Sequence, residues 1–102
     1  MTLVKVGSKA DFGKGFIVLV EANGKDIAIA NVAGNLYAFD DRCPHMGGHL
    51  SRGLLTDNMV RCPLHGSQFD VTTGEKKAGP ATKPIKTYPV KVQGNEVIVD
   101  IT

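Results

Sequence analysis

Both cysteines and all three histidines of this chain fall in two short stretches, CPHMGGHL (43–50) and CPLHGSQFD (62–70). The first spells C-x-H and the second C-x-x-H, with sixteen residues between His45 and Cys62. Thiol and imidazole are the ligands that soft and borderline metals prefer, and two of each suit Zn²⁺ or an iron–sulfur centre. Long glycine- and proline-rich loops are uncommon in compact domains unless something orders them. Metal–ligand bonds do so, because binding energy becomes folding energy. The expectation is therefore a segment, residues 43–84, whose order depends on a metal centre.

On either side of that segment the chain reads as strands. GFIVLVEA (15–22) and KDIAIANV (25–32) are rich in β-branched residues, and Asn23-Gly24 between them is a strong hairpin signal. AGN (33–35) leads into LYAF (36–39). IKTYPVKVQ (85–93) and EVIVDI (96–101) flank a turn at Gly94-Asn95, with Val97, Val99 and Ile101 alternating with Ile98 and Asp100. Pro89 has no N–H for a ladder, so its strand should lie at an edge or be bulged. Helical periodicity is absent; at most a short turn is expected near Ser8–Phe12. NMVRC (58–62) and QFDV (68–71) are the two strand-like pieces of the middle segment. The fold class read from this pattern is all-β, an antiparallel β-sandwich or barrel. It would be one domain of 102 residues, with a base of about 1–42 and 85–102 and a loop-built subdomain of about 43–84 inserted at one tip.

Composition excludes several function classes. A net charge of +2, with lysine and arginine scattered, gives no nucleic-acid footprint. The longest apolar runs, such as Ile17–Val20, are too short to span a bilayer. The N-terminus lacks a charged leader followed by an apolar run, so a cytoplasmic location is expected. There the cysteines should be thiols or metal ligands rather than a disulfide. The ligand spacing matches poorly with the usual small zinc finger. C-x-x-C-H for haem, G-x-G-x-x-G and a four-cysteine iron–sulfur pattern are all missing.

CPHMGGHLSRG and CPLHGSQFD resemble the two cluster-binding boxes of Rieske proteins. The following TTGEKKAGPATKPI is similar to the family's proline loop, which covers the cluster. The resemblance implies one [2Fe–2S] cluster per chain, with one iron on Cys43 and Cys62 and the other on His45 and His65. Such a centre is neutral when oxidised and singly negative when reduced, so it is easier to reduce than an all-thiolate one. Rieske centres span about −150 to +300 mV, against about −400 mV for plant-type ferredoxins. Gly47, Gly48 and Gly66 would let the backbone turn its amides toward the sulfurs. Pro44, Pro63 and Pro80 would stiffen the loops. Ser67 is either a turn residue or, as a matching serine does in some relatives, a hydrogen-bond donor to a cluster sulfur.

The remaining residues of the boxes have blander readings. His49 reads as a surface histidine. Met46, Leu64 and Pro80 read first as caps that shield the cluster from water, and otherwise as an apolar tip onto which a redox partner docks. Asp40, Asp41, Arg42 and Arg61 read first as a solvated rim, with charges that steer a partner as the alternative. The high-potential branch of the family has a disulfide between the loops where this chain has Gly48 and Leu64, and a tyrosine where it has Phe69. A quinol-oxidising role is therefore not expected.

The chain looks most like a soluble Rieske-type ferredoxin, a one-electron carrier and not an enzyme in itself. A flavoprotein reductase fed by NAD(P)H would reduce it, and a terminal oxygenase or similar acceptor would oxidise it. Both would dock transiently at the cluster tip of a monomer, with no nucleic acid and no membrane involved. Two rival readings are the small Rieske-like subunit of an assimilatory nitrite reductase and a zinc-stabilised interaction module. A Rieske oxygenase subunit is excluded by counting. Its mononuclear iron needs two histidines and a carboxylate, and only His49 is left over.

Overall fold

A computed structural model of the chain describes residues 2–44, 47–64, 66–79 and 83–101. Among the described residues, eleven strands form three antiparallel sheets. They are β1 (Leu3–Ser8), β2 (Ile17–Ala22), β3 (Lys25–Val32), β4 (Asn35–Asp40), β5 (Leu54–Thr56), β6 (Met59–Arg61), β7 (Gln68–Asp70), β8 (Lys76–Ala78), β9 (Thr87–Tyr88), β10 (Val90–Gln93) and β11 (Glu96–Asp100). Two sheets, ordered β1-β11-β10 and β2-β3-β4-β9, use the two ends of the chain. The third, β5-β6-β7-β8, comes from the middle.

The β2–β3 hairpin turns at Asn23-Gly24, with both residues at positive φ (50° and 81°). That is the backbone a two-residue turn needs if it is to match strand twist. The alternation of β11 is also as expected, with Val97, Val99 and Ile101 buried. The short turn near the N-terminus is a 3₁₀ turn at Lys9–Asp11.

At Pro89 the chain does more than bulge. β9 pairs with β4 and β10 pairs with β11, so the strand changes sheets at the proline. Without an N–H, Pro89 cannot carry a ladder onward; its carbonyl accepts from Asp100 N–H at 3.0 Å.

β3 is the wall shared by two cores. Ile27 and Ile29 face the space between the two base sheets, together with Phe12, Ala38, Tyr88 and Val97. Ala28 and Ala30, on the opposite face, meet Phe39, Leu50, Val60 and Phe69 beneath the middle sheet. Strand period two sorts isoleucine to one side and alanine to the other. The small alanines let the middle sheet approach closely. Phe39 and Phe69 are both 0% exposed; truncating such a ring to alanine costs about 3–5 kcal/mol.

Candidate metal centre

The two cysteine loops share one frame. Arg42 and Arg61 each precede a cysteine, and a proline follows it. Cys43 N–H donates to the Gly48 carbonyl at 2.8 Å, and Cys62 N–H to the Ser67 carbonyl at 2.7 Å. Both bonds close a loop onto the residue five positions ahead. Each loop turns at a glycine with nearly the same left-handed φ, 73° at Gly47 and 74° at Gly66, a region costly for residues with a Cβ. The arginine guanidinium rests against that glycine. A Cβ at Gly47 would lie 3.0 Å from Arg42 Nε, and one at Gly66 would lie 3.0 Å from Arg61 Nη2.

The loops bring the two sulfurs together in the interior. Cys43 and Cys62 are each 1% exposed and not disulfide-bonded. Burial pushes the Cys62 thiol above its usual range, and the neighbouring Cys43 thiol adds to this; the Leu64 N–H, which donates to the Cys62 sulfur, pulls the other way. Two facing thiols in an apolar pocket resist ionisation while only protons are available. A cationic metal reverses this, because it takes the place of the protons. A buried dithiol with an amide N–H already aimed at sulfur therefore fits a metal–sulfur group well.

His45, Met46, His65 and Pro80 lie outside the described residues. Of the expected ligand set, the structure thus places the two cysteines. Ser67 is fully buried beneath Gly79. A Cβ on Gly79 would lie 2.5 Å from Ser67 Cα, so the covering segment reaches the second loop only because that residue is glycine. Gly48 and Leu64 meet between the loops. A Cβ at Gly48 would come within 3.0 Å of Leu64 Cγ and 3.3 Å of Cys62 Sγ. An apolar contact thus stands where the high-potential branch has its disulfide. Leu64 remains 44% exposed and Phe69 is 0% exposed.

Two of the expected rim residues, Asp41 and Asp40, depart from expectation, and exposed His49 is drawn in by one of them. Asp41 is no rim charge: it is 1% exposed. Its Oδ1 accepts from Ser51 N–H at 2.7 Å, and its Oδ2 lies 2.6 Å from His49 Nδ1, which must carry a proton to face a carboxylate. Burial alone would push this carboxyl up. Hydrogen bonds from Ser51 and His49, with the charge of His49, outweigh that and hold it below its usual range. His49 is surface-exposed on one side, yet it is tied to Asp41 on the other. Asp40 accepts a hydrogen bond from the buried Tyr88 hydroxyl. Burial, and then Asp40, push the Tyr88 phenol well above its usual range. Sequence gave no signal for the Asp41–Ser51 contact, because it joins residues across a loop rather than along a pattern.

Comparison with known proteins accounts for this arrangement. Residues 2–89 match the Rieske [2Fe-2S] domain family, and the chain belongs to that family. The centre its site takes is a [2Fe–2S] cluster. The chain is 44% identical over 89 residues to the ferredoxin component of naphthalene 1,2-dioxygenase/salicylate 5-hydroxylase systems of Ralstonia sp, covering 87% of this chain and 86% of that one. The Sphingomonas yanoikuyae B1 ferredoxin superposes with a TM-score of 0.93 at 32% identity, covering 99% of this chain and 100% of that one. A chain in the complex of reduced oxygenase and oxidised ferredoxin of carbazole 1,9a-dioxygenase superposes with a TM-score of 0.90 at 35% identity, covering 95% and 91%. The chain is thus a Rieske-type ferredoxin, an electron carrier rather than a catalyst.

Proposed function

We propose that this chain carries single electrons from an NAD(P)H-fed flavoprotein reductase to a ring-hydroxylating terminal oxygenase. In this reading Cys43 and Cys62 hold one iron, His45 and His65 hold the other, and Ser67 donates a hydrogen bond to a cluster sulfur. Residues 1–102 act as a single domain, with a base of about 1–42 and 85–102 and a cluster-binding part of about 43–84. The observation that carries this reading is the pair of matched loops that bury two free thiols against each other at one end of the fold.

When bound, the cluster accepts one electron and returns it, and no bond of a substrate is made or broken. The protein's part is to hold the loops still, to aim amides at sulfur and to keep water out through Phe69, Leu50 and Val60. Docking is transient, in the interface class below about 1,200 Å². No helix among the described residues is long and apolar enough to cross a membrane. The carrier works as a monomer in the cytoplasm, where the NAD(P)H that feeds its reductase is found.

The test is reconstitution. Anaerobically purified chain should be red-brown, contain two irons and two sulfides, and take up one electron per chain. It should make product formation by a ring-hydroxylating oxygenase depend on its own concentration when NADH and a flavoprotein reductase are supplied. A colourless zinc protein, or product formation independent of the chain, would overturn the reading.

A further inference from the structure

We propose that the cluster end docks on an acidic face of its redox partners, with Arg42, Arg52 and Arg61 around an apolar centre of Pro44, Pro63 and Leu64. This rests on the electron-carrier reading above and adds the charge of the partner. All six residues are exposed. Among the described residues, none of the three arginines lies within ion-pair distance of a carboxylate.

Strand direction sorts the charges of this part of the molecule. From Arg42 to Phe69 the sequence has three arginines, no lysine and one acid, Asp57. The β5–β6 hairpin pairs Leu54 with Arg61 at its cluster end and Thr56 with Met59 at its turn. Asp57 sits in that turn, beside Gly15 and Asn31 of the base and away from Cys62. Asp70 pairs with Met59, so it too lies at the far end. Glu75 joins them, because its carbonyl accepts from Asp70 N–H and its side chain pairs with Lys77. Asp41, the acid nearest the first loop, is buried and already bonded. Near the first loop the base adds exposed Asp26, whose carbonyl accepts from Asp41 N–H, and half-buried Asp40, bonded to Tyr88. The charges carried by the two loops and by the cluster end of β5–β6 are the three arginines.

The arginines lie close to the site. Arg42 and Arg61 rest against Gly47 and Gly66, and Arg52 and Arg61 line one hollow beside Cys62 and Pro63. The planar fork of a guanidinium matches a carboxylate in shape. An acidic ring on the partner would steer this end first. Only that orientation brings the cluster close enough for electron transfer.

The probe is an electrode that imitates such a face. The cluster-loaded chain is studied by voltammetry at low ionic strength on gold carrying either a carboxylate-terminated or an amine-terminated monolayer. Electron exchange should be about tenfold or more faster on the carboxylate surface, within the usual range for charge-steered association. Raising the salt concentration should remove the difference. Adsorption through lysines of the base would bind the protein but leave exchange slow, so rate reports orientation. The R42Q/R61Q variant should lose most of the preference and R42K/R61K should keep it. If R42Q/R61Q loses its cluster, Arg52→Gln, outside both loops, should still weaken the preference. Equal rates on both surfaces, or a preference that survives removal of the arginines, would overturn the proposal. The chain should stay in the supernatant when phosphatidylserine vesicles are sedimented; pelleting with them would assign the patch to a membrane instead. Absence of any wave on either surface is a separate outcome, which overturns the electron-carrier reading itself.

Discussion

In the first cysteine loop the chain leaves β4, turns at Gly47 and comes back through His49, which bridges to Arg42. The next residue opens a 3₁₀ turn at Leu50–Arg52, with no ladder to guide it. Asp41 does that work instead: its carboxylate takes His49 and Ser51, and its carbonyl accepts from Leu50 N–H at 2.7 Å. In the second loop the chain leaves β6 and returns at once as β7, paired with β6 from Arg61–Gln68 to Met59–Asp70. There the ladder fixes the return, and Gly79 presses the covering segment onto Ser67. The same turn is thus closed by a buried charge in one case and by sheet pairing with a backbone lid in the other. The loop that lacks a ladder is closed by a polar clamp and the other by its ladder, and each delivers one buried cysteine to the same place.

The largest effect should come from breaking the lid. Gly79→Ala places a Cβ 2.5 Å from Ser67 Cα at a residue with φ of 91°, so backbone must move. Overpacking and left-handed strain together should cost about 3 kcal/mol. That would lower the thermal midpoint of the holo chain by about 10–20 °C. Gly24→Ala, with open space around it, carries only the strain and should lose about 1 kcal/mol. Equal losses in the two variants would mean that the lid does not close the second loop.

Next comes the clamp. Asp41→Ala leaves Ser51 N–H and His49 without their acceptor in the interior, at about 2–3 kcal/mol. His49→Ala should cost about 1 kcal/mol and leave the cluster spectrum intact; bleaching would make His49 a ligand. The clamp also has a pH signature. The folded carboxyl of Asp41 is held below its ordinary value of 3.8. Its stabilisation is therefore complete above that value and is lost as pH falls through the lower folded value. The stability gap between the natural chain and Asp41→Asn should be widest near neutral pH and should narrow below about pH 4. Urea unfolding at a series of pH values would measure it.

How much of this was legible in the sequence depended on range. Asn23-Gly24 marked its hairpin because turn chemistry is local, and the period-two run of β11 marked its buried face. β1 went unread because its partner is β11, at the opposite end of the chain, and no turn signals such a pairing. β5 and β8 are no shorter than β6 and β7, but LLT has its one β-branched residue at the end and KKA has none, whereas MVR and QFD carry a central Val60 and Phe69. In the site, the cysteines announced themselves by residue type and spacing. Asp41 did not, since an aspartate beside another aspartate looks like a wet rim until Ser51 and His49 fold over it. The sheet change at Pro89 was half visible: the missing N–H ruled out a continuous central strand, but where the chain would go was a tertiary matter.

The smallest predicted effects concern electronic tuning of the second loop. A hydroxyl donor to sulfur favours the reduced state, so Ser67→Ala should lower the potential. Phe69→Tyr should raise it if the buried ring keeps its place. Such a bond contributes about 1 kcal/mol of difference between redox states. About 1.4 kcal/mol corresponds to 59 mV for one electron, so each shift should be some tens of millivolts. Protein-film voltammetry reads both. A potential unmoved in Ser67→Ala, with the cluster intact, would leave Ser67 as a backbone acceptor for Cys62 alone.

The central claim is that the two matched loops hold one two-iron cluster through both sulfur and nitrogen. Pulsed electron paramagnetic resonance on the dithionite-reduced chain tests it most directly. The account predicts a spin-one-half signal whose average g value lies below that of the free electron, coupled to two directly bound nitrogens, with those couplings lost when His45 or His65 is replaced by cysteine. A reduced cluster signal without nitrogen coupling, or couplings that vanish in His49→Ala instead, would contradict it.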